Sequence, residues 1–409
     1  MVDAAASLQG KQQFFGQPSA VTSAAAMPAV KVFSAKGADA QAGLAAYAAL
    51  AASGLHSPAQ SPIWISNWIA EVQPDYLIAT LQRGGQPALA IALEVVRSGP
   101  FRVARFMGGR HANGNFPAMT QAFAASATAA DIKSLTEAIG RARPDIDMIA
   151  LERLASDIGG VSNPLLGLQH VPSPNVSLAI DLAGGFDAML GRTSGKRKRK
   201  KHRSQTRKFE AVGTFRRITA GSESEVNALL DAFFAMKEVR FQKMGIANVF
   251  AEPEVKSFFR SIFAEALKEQ KPSFVLNALE VAGKIRAVTG SSLCGDRLIC
   301  EFGAISEDDL AGASPGEFLF FDNIQQACQD GFAVYDFSVG DEPYKRLWCD
   351  LEIRQFDVLA PLTAKGRLLG ASMQQVTALK AFIKNNRFIW KLAKTFRKKA
   401  AAQVAASED

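Results

Sequence analysis

The sequence predicts an α/β protein built as two mixed α/β domains in tandem, and three observations lead there. The chain is 409 residues long, enough for two hydrophobic cores. A strand–turn–strand pattern occurs twice: in "PDYLIATLQRGGQPALAIALEV" and again, 198 residues on, in "PSFVLNALEVAGKIRAVTGSSL". Pro74, Tyr76, Leu81 and Gly85 of the first correspond to Pro272, Phe274, Leu279 and Gly283 of the second. The elements around each hairpin also follow one order: helices before it, then a strand, a helix and another strand.

In chain order, residues 1–30 are rich in Ala, Ser and Gln and are expected to form a disordered arm. They lack the basic stretch and apolar run of a secretory signal. Helical patterns then span about Ala38–Ser53 and Ile63–Ala70. The first hairpin follows, with apolar residues flanking a glycine turn. "FRVARFMG" reads as a strand, "FMGGRHANGNFPAM" as a glycine-rich loop, Ala129–Arg141 as a helix and "IDMIALE" as a strand. In the second half, Glu223–Lys243 and Pro253–Glu269 are helical; Val226, Leu229, Leu230, Phe233 and Phe234 of "EVNALLDAFFAMKEVRF" recur at helical spacing. Beyond the second hairpin come the strand "RLICEFGAIS", a helix over about Glu317–Asp330 and the strand "AVYDFSV". The expected boundaries are 31–190 for the first domain, 191–365 for the second and 366–409 for a basic tail.

The formal net charge of +8 is concentrated in two places. Nine Lys and Arg lie in "GKRKRKKHRSQTRK", Gly195 to Lys208, and eight more between Lys380 and Lys399, neither stretch holding an acid. The rest of the chain is acidic, which argues against a surface that coats nucleic acid and leaves local anion contacts open. The four cysteines have no CxxC spacing and the four histidines are scattered, so reduced structural thiols and no metal site are expected. No apolar run approaches the ~20 residues of a membrane span. A cytoplasmic location, with peripheral membrane contact open, is the expectation. In the tail, "LKAFIKNNRFIWKLAKTFRKKA" places apolar residues mostly on one face and Lys and Arg on the rest. Such a helix is suited to lie on an anionic membrane surface or to pack back on the domain.

The stretch from Cys300 to Trp348 carries the chemistry. After a strand, "AGASPG" (Ala311–Gly316) leads into a helix that Ser314 can cap and Pro315 can start. Gly316 would let a ligand approach the backbone, and free amides at a helix start suit phosphate. Then comes "YDFSVGDEPYKRLW": strand, glycine turn and short helix. With Ser314, Pro315, Gly316, Asp336, Gly340 and the YKRLW segment in this order, the chain resembles the GNAT acyltransferase superfamily. Within it, the chain is similar to the tandem-GNAT branch associated with cellulose biosynthesis, whose layout is like that of Fem-type peptidyltransferases. The resemblance spans roughly Ile63 to Phe356. It implies two tandem GNAT-like domains, each a bent mixed, mostly antiparallel sheet flanked by helices. Central strands that splay apart would admit the pantetheine arm of acetyl-CoA or another acyl-CoA, with pyrophosphate at Ala313–Glu317. In "AGASPG", Ser314 and Ala311 depart from the usual Gln/Arg-x-x-Gly-x-Gly/Ala loop.

Acyl transfer to an amine or hydroxyl acceptor needs a base, dipoles for the oxyanion and an acid for the leaving thiolate. Glu301, on the strand bordering the acyl site, is the candidate base, through a water. Tyr344, where GNAT enzymes often place a phenol, is the candidate acid. Lys345 is placed at a phosphate or the acceptor, with Asp336 orienting Lys345 or the acceptor. Tyr335 and Trp348 are read as core. In the first half, His111 and Asn113 of the glycine-rich loop are candidates for acceptor contact. If the basic run is helical, Arg199, Arg203 and Arg207 align on one face beside the inter-domain cleft, suited to grip an anionic donor or acceptor. Two other readings stay open: a Fem-like transferase with an aminoacyl-tRNA donor, and a non-catalytic scaffold for nucleic acid or partner proteins. Aromatic residues do not interleave the basic run, which counts against base stacking on RNA.

Overall fold

The computed structural model describes residues 29–373. Residues 1–28 of the expected arm and the amphipathic segment from Leu379 therefore lie outside the described residues, whereas Ala29 and Val30, expected in the arm, begin a strand. The first half runs β1 (Ala29–Ser34), α1 (Ala40–Ser53), α2 (Pro62–Val72), β2 (Tyr76–Arg83), β3 (Gln86–Ser98) and β4 (Phe101–Phe106). It continues with β5 (Ala118–Met119), α3 (Gln121–Ser126), α4 (Ala129–Ala142), β6 (Met148–Ala155), the small hairpin β7 (Asp157–Ile158) and β8 (Val161–Ser162), and β9 (His170–Asp181). Two helices, α5 (Gly185–Arg192) and α6 (Gly195–Glu210), lead into β10 (Phe215–Thr219). The second half repeats the order: α7 (Glu223–Met244), α8 (Pro253–Ala266), β11 (Phe274–Val281), β12 (Lys284–Cys294) and β13 (Arg297–Ile305). It closes with α9 (Pro315–Gln329), β14 (Val334–Val339), α10 (Pro343–Arg346) and β15 (Leu351–Pro361).

Local chemistry explains several of these boundaries. Ser61 accepts from the Trp64 amide at the start of α2, with Pro62 in the first turn. Thr128 and Asp131 form a reciprocal capping box on α4. The hairpin turns Gly84–Gly85 and Ala282–Gly283 hold positive φ at both central residues (56° and 79°; 49° and 73°), the twist that a two-residue hairpin needs. The repeat extends to irregularities: register shifts between Leu81 and Gln82 in one hairpin and between Leu279 and Glu280 in the other.

Edge strands β1 and β10, absent from the sequence-based reading, extend the two hairpins. In each half the strand after the hairpin pairs in parallel with the strand after the next helix: β4 with β6, and β13 with β14. The tandem α/β expectation is met, but the two sheets are joined into one of thirteen strands. The junction is an exchange. β9, from the first half, pairs with β14 of the second, whereas β15, at the end of the chain, returns to pair with β6 of the first. β9 and β15 also pair with each other at the centre.

Helices α7 and α8 pack on one face of the second half, where their phenylalanines join Trp64 and Trp68 of α2 in a core shared by both lobes. The Trp64 and Trp68 rings each meet Phe258 edge-on at 4.9 Å. Helix α9 covers the other face through Phe321 and Ile324, over Leu298, Cys300, Tyr335 and Phe337. Tyr335 and Trp348 are buried, as read from the sequence. Among the described residues, no helix is long and apolar enough to cross a membrane.

Candidate active site

β13 and β14 stay paired for only three positions, Arg297 with Val334, Leu298 with Tyr335 and Ile299 with Asp336, and then part. At the point of parting β13 carries a bulge: Cys300 faces Ser291 and Phe302 faces Gly290, leaving Glu301 as the extra residue. Bulges re-aim side chains, and here the bulge turns Glu301 toward a cavity between the lobes. That cavity measures about 890 Å³ and is walled by β13, β14, β9, β15 and the β7–β8 hairpin. Ser292 Oγ donates to Glu301 Oε1 (2.5 Å), and Asn113 Nδ2 donates to Oε2 (2.8 Å). Both bonds favour the charged carboxylate, yet burial outweighs them and pushes the Glu301 pKa up to about 7. A carboxyl poised there can take a proton at neutral pH.

Asp336 lines the same cavity. It does not orient Lys345, as expected from the sequence: its carboxylate pairs with Arg297 (3.0 Å) and accepts from Ser177 Oγ (3.0 Å) and the Ser338 amide (2.7 Å). Lys345 is buried and already engaged. Its ammonium donates to the carbonyls of Ser338 (3.3 Å) and Val339 (2.9 Å) and pairs with Glu342 (3.0 Å). It therefore fixes the end of β14, and the expected phosphate or acceptor contact gives way to this clamp.

Tyr344 stands on the opposite side of β14 from Asp336. Its ring stacks on Phe320 (5.8 Å) and meets Phe337 at a steep angle (6.2 Å). The residue is 42% exposed. Partial burial and the nearby Cys300 and Glu342 hold its hydroxyl protonated well above the usual tyrosine range.

The start of α9 departs from the expected cap. Ser314 is left-handed (φ 58°) and its side chain makes no cap bond. A Cβ on Gly316 would lie 2.6 Å from Ile305 Cγ2, so this glycine admits the neighbouring strand. Glu317 pairs with Lys201, and Gln205 Nε2 donates to the carbonyls of Ala313 (2.9 Å) and Ser314 (3.0 Å).

The basic run is indeed a helix, α6, but it packs on α9 and α5, and none of Arg199, Arg203 and Arg207 lines the inter-lobe cavity. The expected cleft-edge position is therefore corrected. Phe209 and Gln205 face inward, and the His202 ring stacks between Phe318 (4.2 Å) and Phe321 (4.1 Å). Arg199 pairs with Asp187 (2.5 Å), whereas Arg203 and Arg207 are exposed. His111 sits among the rings of Trp68, Phe250 and Phe259 at 5.2–6.1 Å, and burial pulls its pKa down to about 4. This neutral aromatic contact joins the lobes and is not part of the cavity wall. Asn113 does line the cavity, where it holds Glu301.

Two residues escaped the sequence reading. Ser292 bonds the candidate base, and nothing in its sequence neighbourhood marks it. Lys237 of α7 lies 5.5–5.8 Å from the ring centres of Phe233, Phe241 and Phe250, and burial lowers its pKa to about 8. Phenylalanines four residues before and after a lysine were a legible sign of this cage.

Residues 196–346 match the family model described as "Acetyltransferase (GNAT) domain". The matched stretch runs from α6 to α10 and includes Glu301, Asp336 and Tyr344. No curated protein matches the chain in sequence. Among solved structures the chain is similar to FemX, at 10% identity over 77% of this chain and 95% of that one, with a TM-score of 0.53. It is also similar to the C-terminal domain of a putative lysylphosphatidylglycerol synthetase from Agrobacterium fabrum (12%, 82% and 96%, TM-score 0.50). At such identities these likenesses concern the fold alone.

Proposed function

We propose that the protein transfers an acetyl or longer acyl group from acyl-CoA to an amine or hydroxyl acceptor held in the inter-lobe cavity. One observation carries this reading: Glu301, with its pKa near 7, stands on the β13 bulge where β13 and β14 part and faces a cavity large enough for a small substrate. The acyl thioester enters the gap between the two strands, with pyrophosphate at the start of α9 around Ala313–Glu317. Its carbonyl faces the cavity, and Glu301 removes the acceptor proton directly or through a water. The acceptor attacks the carbonyl, the C–S bond breaks, and Tyr344, on the far side of the strands, protonates the leaving thiolate. Backbone amides along the parted strand edges serve the oxyanion. Asp336, Arg297 and Asn113 hold the cavity wall in register. The motif resemblance directs the acceptor search to polysaccharide and cell-envelope precursors.

The test is thermal stabilisation by acetyl-CoA, free CoA and longer acyl-CoAs, followed by thiol release with amine and hydroxyl panels. Stabilisation by at least one acyl-CoA is expected; no response to any of them would remove the reading. A second donor, aminoacyl-tRNA, is supported by the exposed Arg203 and Arg207 on a helix that packs against α9. It requires tRNA affinity that falls steeply with salt.

A further inference from the structure

On the opposite face of the sheet from the inter-lobe cavity lies a second cavity of about 550 Å³, between β10, β11, β12 and the C-terminal half of α9. The sheet separates the two spaces. Ser291 lines this one, while its neighbour Ser292 bonds Glu301 in the other.

The buried side chains of this pocket turn mainly donors toward the space. Asn277 Oδ1 accepts from Arg217 Nη2 (2.8 Å) and from Thr219 Oγ1 (2.8 Å). Asn323 Oδ1 accepts from Arg217 Nε (2.9 Å), and Asn323 Nδ2 donates to Thr289 Oγ1 (3.0 Å). Asn277 and Asn323 are 4% and 2% exposed, so their carbonyl oxygens are committed within the protein. Toward the space remain the donors Arg217 Nη1, the Asn277 amide and the exposed Lys271 ammonium, which also lies 5.0 Å from the Phe332 ring centre; the exposed Asp330 carboxylate, which accepts from Gln326, lines the pocket as well. Among the described residues Arg217 makes no ion pair, although burial works against its charge. Of the carboxylates that act on it from further off, Asp322 bonds His202, and Asp330, an exposed residue of the pocket lining, accepts from Gln326 through one oxygen. A partly buried guanidinium whose hydrogen-bond partners are neutral, facing a ligand-sized space whose one carboxylate, Asp330, is exposed, is suited to a ligand that accepts.

We propose that this pocket binds a small anion, a carboxylate or a phosphate monoester, with one oxygen on Arg217 Nη1 and the others within reach of Asn277 Nδ2 and Lys271. The proposal is independent of the acyl-transfer reading, because no residue of this pocket lines the inter-lobe cavity.

Isothermal titration of the full chain with inorganic phosphate and, separately, succinate tests it, with sodium chloride holding ionic strength constant. Saturable binding of at least one anion is expected, and which one binds distinguishes the phosphate source from the carboxylate source. Arg217→Gln should weaken it about tenfold, the scale of a charge-assisted hydrogen bond. Lys271→Gln, at an exposed position, should weaken it about threefold and provides the readout if the first variant does not fold. Glu301→Gln should bind the anion as the wild type does. No saturable binding of either anion, or binding unchanged by the cavity substitutions that fold, would overturn the proposal.

Discussion

Glu301 concentrates the chemistry in one carboxyl, and its titration makes the assignment measurable. With the base form populated only as pH passes about 7, kcat/KM should rise through that pH in the wild type. Glu301→Gln should lose the rise together with about 10²–10³ of kcat. The same shift sets a stability signature. The folded pKa lies above the ordinary value of 4.5, so folding favours the protonated carboxyl, and this contribution is lost as pH climbs from 4.5 toward 7. The Tm difference between Glu301→Gln and wild type should therefore move in the variant's favour from pH 5 to pH 8. Tyr344→Phe keeps the ring on Phe320 and Phe337. Combined with Glu301→Gln it should abolish turnover while circular dichroism stays native. At this scale the sequence showed that Glu301 and Tyr344 were candidates, but not that Asp336 turns to Arg297 or that Lys345 is spent on β14 carbonyls. Those pairings join residues through hydrogen bonds that strand and helix periodicity does not encode.

At the scale of elements, the β13 bulge depends on its partner strand. A Cβ on Gly290 would fall 2.2 Å from the Phe302 ring, directly opposite the bulge. Gly290→Ala should cost about 1–3 kcal/mol in urea unfolding and lower activity beyond its effect on stability, because the displaced ring drags Glu301 with it. Helix α6 makes a different point. Nine cations in fourteen residues suggested a cleft-edge grip, yet its inward face is Gln205, which fastens the loop ahead of α9, and Phe209 and His202, which pack on Phe318 of α9. The helix was readable from the sequence; the surface it packs on was not.

For the whole molecule, the strand exchange makes the lobes interdependent. The second lobe's sheet ends on β9 from before residue 190, and the first lobe's on β15 from after residue 350. With the α2–α8 core added, the chain should unfold in one calorimetric transition. A fragment of residues 191–373 lacks β9, leaving the edge of β14 unpaired, and should show no dispersed amide spectrum by NMR.

Periodicity, turn chemistry and internal repetition are local properties of a chain, and they determined most of the helices, both hairpins, the tandem order and the strand that bears Glu301. Tertiary structure decided the rest: that the last strands are exchanged into one sheet, that Asn113 reaches across to Glu301, and that Arg217 faces a donor-rich pocket. Each of these joins residues from distant parts of the chain, and burial, which moves the Glu301 pKa, exists only once those parts have packed.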